Sequence, residues 1–342
     1  MSTLQQQYQG WQLAQRPQGE PGPECFSWVT GDIPTPKAGE LLLRTAYLSL
    51  DPYMRGRMDE GESYAPPVPI GDIMVGGTVS QVEVSEAPGF APGDWVLSQG
   101  GWQNFSIVKA EQVVKLSSSI PHPSYALGIL GMPGFTAYMG LTDIGRPKPG
   151  ETLVVGAATG PVGATVGQLA KMKGCRVIGV AGGAEKCAYA IEQLGFDACL
   201  DHRAEDFAQQ LAQACPAGVD IYFENVGGKV FDAVFPLLNA RARIPVCGAV
   251  AYYNHDVLPA AEDKTAYIMT QLIKKRILMQ GFIIFADYAE HYSDFLKTMT
   301  SLVEKGTIHY REQVIEGLEN APQALNQLLR GENFGKMVIK VS

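Results

Sequence analysis

Thr152-Leu153-Val154-Val155 is an apolar run of strand length, and it leads straight into Gly156-Ala157-Ala158-Thr159-Gly160-Pro161-Val162-Gly163-Ala164. A helix-like stretch follows, with Gly167 just beyond, and then a second apolar run, Arg176-Val177-Ile178-Gly179-Val180. Strand, Gly-rich turn, helix and strand make the unit that binds a dinucleotide. A pyrophosphate needs backbone N–H groups at a helix N-terminus with no side chains in the way. Gly160 and Gly163 let the backbone approach, and Gly167 lets the helix pack closely. The usual G-x-G-x-x-G pattern is imperfect, because Ala158 stands at the first glycine. The order of elements around the turn, more than the glycines, points to a nicotinamide cofactor.

The end of the second strand bears on which cofactor. An NAD site places Asp or Glu there to accept from the ribose 2′-OH. Here the tip is Gly182-Gly183, with no carboxylate at that place, and Lys186 follows. His202 and Arg203 end the next predicted strand, where they line the same pocket. Cations without an acid suit a 2′-phosphate, so NADPH is expected.

From about Pro133 the chain alternates strands (152–156, 176–180, 198–200, 220–223, 243–246, 278–284) with helices (161–173, 184–194, 204–214, 228–238, 262–275). That alternation implies a parallel, doubly wound α/β sheet of the Rossmann type. The first 130 residues have another texture, with strand-like runs at 41–47, 77–82 and 94–97 punctuated by Pro88, Pro92 and Gly93. They read as a β-rich, barrel-like domain. A final strand at 336–341 most easily rejoins that domain. The expected division is 1–132 with 311–342 as the substrate and catalytic domain, and 133–310 as the dinucleotide domain.

A chain of 342 residues, 46% hydrophobic and 18% charged, suffices for two such cores. The net charge of −8 argues against a nucleic-acid or acidic-membrane partner. No apolar run approaches membrane-spanning length. The polar start, Met1 to Gln7, has no signal-peptide core. The six cysteines form no C-x-x-C pair, which reads as reduced cytoplasmic thiols.

Several longer motifs go further. Leu48-Ser49-Leu50-Asp51-Pro52-Tyr53-Met54-Arg55-Gly56-Arg57-Met58, Glu224-Asn225-Val226-Gly227-Gly228, Pro245-Val246-Cys247-Gly248-Ala249 and Gly331-Glu332-Asn333-Phe334-Gly335-Lys336 resemble the medium-chain dehydrogenase/reductase superfamily. Within it they resemble the leukotriene B4 dehydrogenase / prostaglandin reductase branch. Met74 to Val79, Gly131 to Tyr138 and Ala181 to Cys187 are similar to a bacterial, NADPH-dependent part of that branch. The resemblance covers nearly the whole chain. It implies a GroES-like barrel beside the Rossmann domain, and reduction of the C=C bond of α,β-unsaturated ketones and aldehydes. It also implies that Gly160, Pro161, Val162 and Gly163 hold the pyrophosphate and Lys186 the 2′-phosphate. Asn225 would sit near the ribose. Cys247, Gly248, Ala249, Val250, Ala251, Tyr252 and Tyr253, with Phe282, Ile283 and Ile284, would present backbone to the nicotinamide. Asn333 would close the site from the tail. His202 stands where relatives often place Tyr beside the adenosine phosphate.

Zinc dehydrogenases of the same superfamily draw ligands from Cys and His. Here the first domain offers only Cys25 and His122, and Gly71 to Gly76 replaces the Gly-His-Glu signature. Metal-independent chemistry is expected on ligand count. Hydride addition to the β-carbon of an enone leaves negative charge on the carbonyl oxygen and a carbanion to protonate. A neutral phenol suits both tasks. The candidates are Tyr53 in the Asp-Pro-Tyr-Met-Arg turn, Tyr64 in a proline-bounded loop, and Tyr253 after the Gly248 turn. The cluster Asp51, Arg55 and Arg57 reads as a structural salt-bridge turn, and His255-Asp256 as surface loop. Two other functions stay open: a quinone reductase of the same superfamily, and an NADPH-binding protein without turnover. A homodimer is expected, because sheets of this type often pair across one.

Overall fold

In a computed structural model of the protein, residues 7–117, 120–255 and 263–342 are described. The β-branched runs of the first third form β1 (Tyr8–Leu13), β2 (Phe26–Gly31), β3 (Glu40–Ser49), β4 (Thr78–Ser85), β5 (Trp95–Ser98), β6 (Phe105–Lys109) and β7 (Val114–Lys115). β1 and β2 pair with each other. β3 is the hub of the larger sheet: β4 lies along one edge, and β6 pairs with its first half on the other. Shared in this way, β3 is mostly buried along its length. It runs into the short α1 (Tyr53–Gly56), which carries the first candidate phenol.

α2 (Met132–Met139) continues through a π-helical turn, Gly140–Gly145, into the second sheet. There follow β8 (Thr152–Val155), α3 (Pro161–Met172), β9 (Arg176–Ala181), α4 (Ala184–Glu192), β10 (Ala198–Asp201), α5 (Phe207–Ala214), β11 (Val219–Phe223), α6 (Gly228–Val234), β12 (Leu238–Val246), α7 (Thr265–Lys275) and β13 (Leu278–Gly281). The strands are parallel in the order β10-β9-β8-β11-β12-β13. The order reverses between β8 and β11, and a crevice at such a switch point is where open α/β sheets bind ligands. Every residue of β8 is buried, as expected of a parallel strand covered on both faces.

α8 (Ile284–Tyr288), α9 (Tyr292–Glu304), β14 (Glu312–Glu316), α10 (Ala321–Leu329) and β15 (Lys336–Lys340) complete the chain. β15 pairs antiparallel with the second half of β3, and β14 parallel with β15. A buried ion pair fastens this return: Lys336 Nζ lies 2.8 Å from Asp51 Oδ1 and 2.6 Å from the Leu50 carbonyl.

Several boundaries differ from expectation, among them the strand expected over 243–246, which begins at Leu238. The strand expected over 278–284 stops at Gly281, because Asp287 accepts the Ile283 N–H at 2.7 Å and starts α8 there. The helix expected over 228–238 ends at Val234, where Pro236 falls in a tight turn and Leu238 opens β12. The helix expected from 204 begins at Phe207.

Candidate active site

Ala158, the irregular residue of the Gly-rich turn, has a steric partner. A Cβ on Gly179 of β9 would fall 2.9 Å from the Ala158 methyl, so the space a first glycine would give is supplied by the neighbouring strand. Ala158 also donates its N–H to Val180 at 3.0 Å, and Ala157 takes a φ of 48° to make the bend. Gly163 admits no side chain, since its Cβ would lie 2.3 Å from the Ala157 carbonyl. Gly160 caps α3, with Pro161 and Val162 in the first turn. That turn leaves α3 N–H groups facing the crevice, as at any helix start. Gly167 makes room for the Phe196 ring rather than for a strand: a Cβ there would fall 1.9 Å from the ring.

The tip after β9 gathers cations. A Cβ on Gly182 would lie 3.1 Å from both His202 Nε2 and Arg203 Nε, and Gly183 needs a φ of 96°. Lys186, in the first turn of α4, is half-buried and donates to the Gly331 carbonyl at 2.7 Å. Burial, then the Arg203 charge, lowers its pKa. The same two causes, in the same order, lower that of His202. Asp201 is the nearby acid, but its carboxylate is taken up by backbone. It accepts the Arg203 N–H at 2.9 Å, and that bond is the main cause of its lowered pKa. Lys186, His202 and Arg203 gather at this glycine tip while Asp201, the acid at the strand end, is engaged by backbone, an arrangement that fits a phosphate monoester.

Asn225 ties the crevice together. Its Nδ2 donates to the Gly156 carbonyl at 2.9 Å, and its Oδ1 accepts from Cys247 Sγ at 2.7 Å. Burial pushes the Cys247 thiol pKa up, so it stays a neutral donor. Beneath lies Glu224, whose role the sequence does not announce although it precedes Asn225 in the same motif. Its carboxylate accepts from the Val226 and Gly227 N–H groups and from Tyr222 Oη (2.6, 2.8 and 2.7 Å). The stretch from Cys247 to Tyr253 spends its N–H groups internally. Cys247 and Gly248 donate to Glu224, Val250 to Asn225, Ala251 to Val226, Tyr252 to Ala249 and Tyr253 to Val250. The Ala249 N–H meets the Tyr253 hydroxyl at 3.4 Å. Tyr252 lays its ring on Gly227 and accepts the Gly228 N–H at 2.9 Å. What this stretch offers a ligand is carbonyl oxygen. Phe282 and Ile284 bury their side chains, whereas Ile283 is exposed; the Phe282 N–H goes to Val246 at 3.3 Å.

The phenols come from both halves of the chain. Tyr53 and Tyr253 are partly buried, and Tyr64 is 63% exposed. Burial raises all three pKa values, so each is a neutral donor at pH 7. The expected salt-bridge turn is corrected here. Asp51 pairs with Lys336, not with an arginine, and Arg55 pairs with Asp59 at 2.6 Å and with the Gly19 carbonyl. Arg57 donates to the Pro66 carbonyl and, among the described residues, pairs with no carboxylate. His255 is exposed, its N–H bonded to Tyr252; Asp256 lies outside the described residues.

The tail docks on α4. Phe334 packs edge-on against Tyr189 at 5.0 Å, and the Arg311 guanidinium lies 3.9 Å over the Phe334 ring. Asn333 Nδ2 donates to the Gly335 carbonyl at 2.9 Å. Among the described residues, no three His, Cys, Asp or Glu side chains form a group that could hold a metal, and no helix is long and apolar enough to cross a membrane.

Residues 9–116 match a family described as the N-terminal domain of oxidoreductase, and residues 161–301 one described as zinc-binding dehydrogenase. The NADPH-dependent curcumin reductase of Escherichia coli (strain K12) is 60% identical over 342 residues, covering 100% of this chain and 99% of the relative. The NADP(+)-dependent 2-alkenal reductase of Nicotiana tabacum is 42% identical, covering 92% and 91%. The crystal structure of CurA from Vibrio vulnificus in complex with NADPH superposes with a TM-score of 0.94 at 58% identity, covering 98% of this chain and 99% of that one.

Proposed function

We propose, from the premise that this chain belongs to the medium-chain dehydrogenase/reductase family in its leukotriene B4 dehydrogenase / prostaglandin reductase branch, that it is an NADPH-dependent reductase of the C=C bond of α,β-unsaturated ketones and aldehydes. We divide it into a catalytic domain, 1–132 with 311–342, and a dinucleotide domain, 133–310. The observation that carries the reading is the Gly-rich turn at the start of α3, where a Cβ on Gly163 would lie 2.3 Å from the Ala157 carbonyl, together with His202 and Arg203 set against Gly182 at the end of β9.

NADPH, when bound, supplies the hydride. Gly160, Pro161, Val162 and Gly163 hold the pyrophosphate, and Lys186, His202 and Arg203 the 2′-phosphate. Asn225, fixed by Gly156 and Cys247, orients the ribose side. The carbonyls of the 247–253 stretch and the backbone at 282–284 face the nicotinamide side, and Asn333 closes the tail over the site. As charge develops on the enone oxygen, the Tyr253 and Tyr53 hydroxyls donate to it; their raised pKa values keep them protonated for that task. Tyr64, on its exposed loop, covers the pocket. A phenol or a solvent molecule at its hydroxyl delivers the α-carbon proton.

A homodimer and a cytoplasmic setting complete the proposal. β13 is the edge of the six-stranded sheet, and all four of its residues are exposed. Tyr267, Met269 and Ile273 of α7, the helix that precedes β13 in the chain, are exposed as well, and an apolar edge of this kind suits strand pairing with a second copy. The six cysteines are free, in keeping with a reducing compartment.

The test is steady-state kinetics of Tyr253→Phe and Tyr53→Phe on an aryl enone. Loss of one oxyanion donor lowers kcat by about 10²–10³ and leaves NADPH affinity intact. A change confined to KM would reduce the residue to pocket shaping. A short enal and a benzoquinone in the same panel separate enone reduction from quinone reduction.

A further inference from the structure

Gly227 and Gly228 take φ of 77° and 54°, so the chain leaves β11 by a turn that needs support from outside its own backbone. That support is the Glu224 side chain, which is buried to 3% exposure. One carboxylate oxygen accepts both the Val226 N–H at 2.6 Å and the Gly227 N–H at 2.8 Å, and the other accepts from Tyr222 Oη at 2.7 Å. Tyr222 is itself fully buried. A carboxylate taken this far out of water is costly unless donors satisfy it. These three donors engage both oxygens inside the protein, and two of them belong to the turn itself.

Two strips assigned to the cofactor hang on this turn. Asn225 is the first, with its amide fixed between the Gly156 carbonyl at 2.9 Å and Cys247 Sγ at 2.7 Å. The 247–253 stretch is the second, and it is bonded to the turn along its length. Cys247 and Gly248 donate to the Glu224 carbonyl at 3.0 and 3.3 Å, Val250 to that of Asn225 at 3.3 Å, and Ala251 to that of Val226 at 3.0 Å. Tyr252 Oη accepts the Gly228 N–H at 2.9 Å. The shape of residues 225–228 therefore sets the place of both strips. Without the carboxylate, two adjacent N–H groups and a phenol are left unpaired in a buried place, and the turn must shift to find them partners.

We propose that Glu224 is a positioning residue: from beneath the crevice it sets the Asn225 amide and the carbonyls of the 247–253 stretch at the places hydride transfer requires, without touching cofactor or substrate itself. This rests on the reading above, in which those groups face the ribose and nicotinamide sides of NADPH.

Full-length wild type, Glu224→Gln and Glu224→Ala are compared in two measurements. The first is a single turnover of NADPH with 4-phenyl-3-buten-2-one, its rate expressed per cofactor-binding site. The second is fluorescence titration with NADPH and with NADH. Glu224→Ala should slow hydride transfer by about 10- to 100-fold, the scale of loss when reacting groups are held slightly out of place. It should weaken NADPH and NADH by the same factor, because the turn faces the half of the molecule that the two cofactors share. Glu224→Gln keeps an acceptor for the two N–H groups and should recover most of both losses. A merely structural cap would lower the unfolding midpoint and the number of competent sites but leave the rate per site intact, and that result would overturn the inference. A loss in Glu224→Gln as large as in Glu224→Ala, or a weakening confined to NADPH, would overturn it as well. If Glu224→Ala does not fold, the double variant Tyr222→Phe with Glu224→Leu fills the space with apolar groups and carries the same expected outcomes. If the wild type binds NADPH and fails to reduce the enone, the enone reading falls, and the shared loss of NADPH and NADH affinity decides this inference by itself.

Discussion

Removing the Lys186 ammonium should split the two nicotinamide cofactors. In the free protein this side chain is held by the Gly331 carbonyl at 2.7 Å, and burial with the Arg203 charge already presses its pKa down. A 2′-phosphate held between Lys186, His202 and Arg203, as proposed above, would relieve that repulsion. A charge-assisted bond of this kind contributes about 1.5–3 kcal/mol, or about 10- to 150-fold in affinity. Lys186 is only half-buried and two other basic groups remain, so Lys186→Ala should fall near the lower end, about 10- to 30-fold weaker for NADPH. NADH has no phosphate there and should change by less than about twofold. The Gly331 bond joins α4 to the tail, so its loss should cost stability as well, on the order of 1 kcal/mol. Fluorescence titration of both cofactors with wild type and variant measures the split, and urea unfolding measures the rest. Equal weakening of NADPH and NADH would refute the assignment of this tip to a 2′-phosphate, because a general distortion of the Gly-rich turn would then account for the change.

Two further outcomes follow from buried and half-buried charge. Lys336, 1% exposed, is the cation of the Asp51 pair, so Lys336→Met strands a buried carboxylate and should lower unfolding stability by about 3–5 kcal/mol; adding Asp51→Asn should recover a good part, as read from urea midpoints. His202 has a lowered folded pKa, so its contribution to apo stability is present above about pH 6.5 and is lost as pH falls through the folded value. A bound phosphate favours the protonated ring, so NADPH binding to the wild type should strengthen relative to His202→Gln as pH falls from about 7 to about 5.5; parallel profiles would remove His202 from the phosphate site.

The Rossmann half was legible because its strands are continuous apolar runs of fixed length and its turn contains glycines that sterics demand. Gly163 shows this best, with the Ala157 carbonyl where its Cβ would be. Boundaries were less legible where one polar side chain decides. The strand over 278–284 looked uninterrupted because Phe282, Ile283 and Ile284 are apolar, and only Asp287, reaching back to Ile283, reveals the helix. Tyr53, Tyr64 and Tyr253 are each visible as candidates, but no local pattern relates the first two to the third, which lies some 190 residues further along the chain. The same holds for charge pairing. Asp51, Arg55 and Arg57 are neighbours in sequence, yet Asp51 finds its partner at Lys336 on the returning strand, which no local pattern announces. Glu224 and Cys247 likewise acquire meaning only when β11 and β12 set them around Asn225.

The central claim, hydride transfer to a carbon–carbon double bond with a phenol-assisted enolate, is tested most directly by isotope placement. The wild type is supplied with an aryl enone, NADPH deuterated at its transferable position, and ordinary water, and the product is characterised by NMR. The account predicts a saturated ketone with deuterium on the β-carbon and a solvent-derived proton on the α-carbon. An allylic alcohol with deuterium on the former carbonyl carbon would contradict it and identify a carbonyl reductase instead.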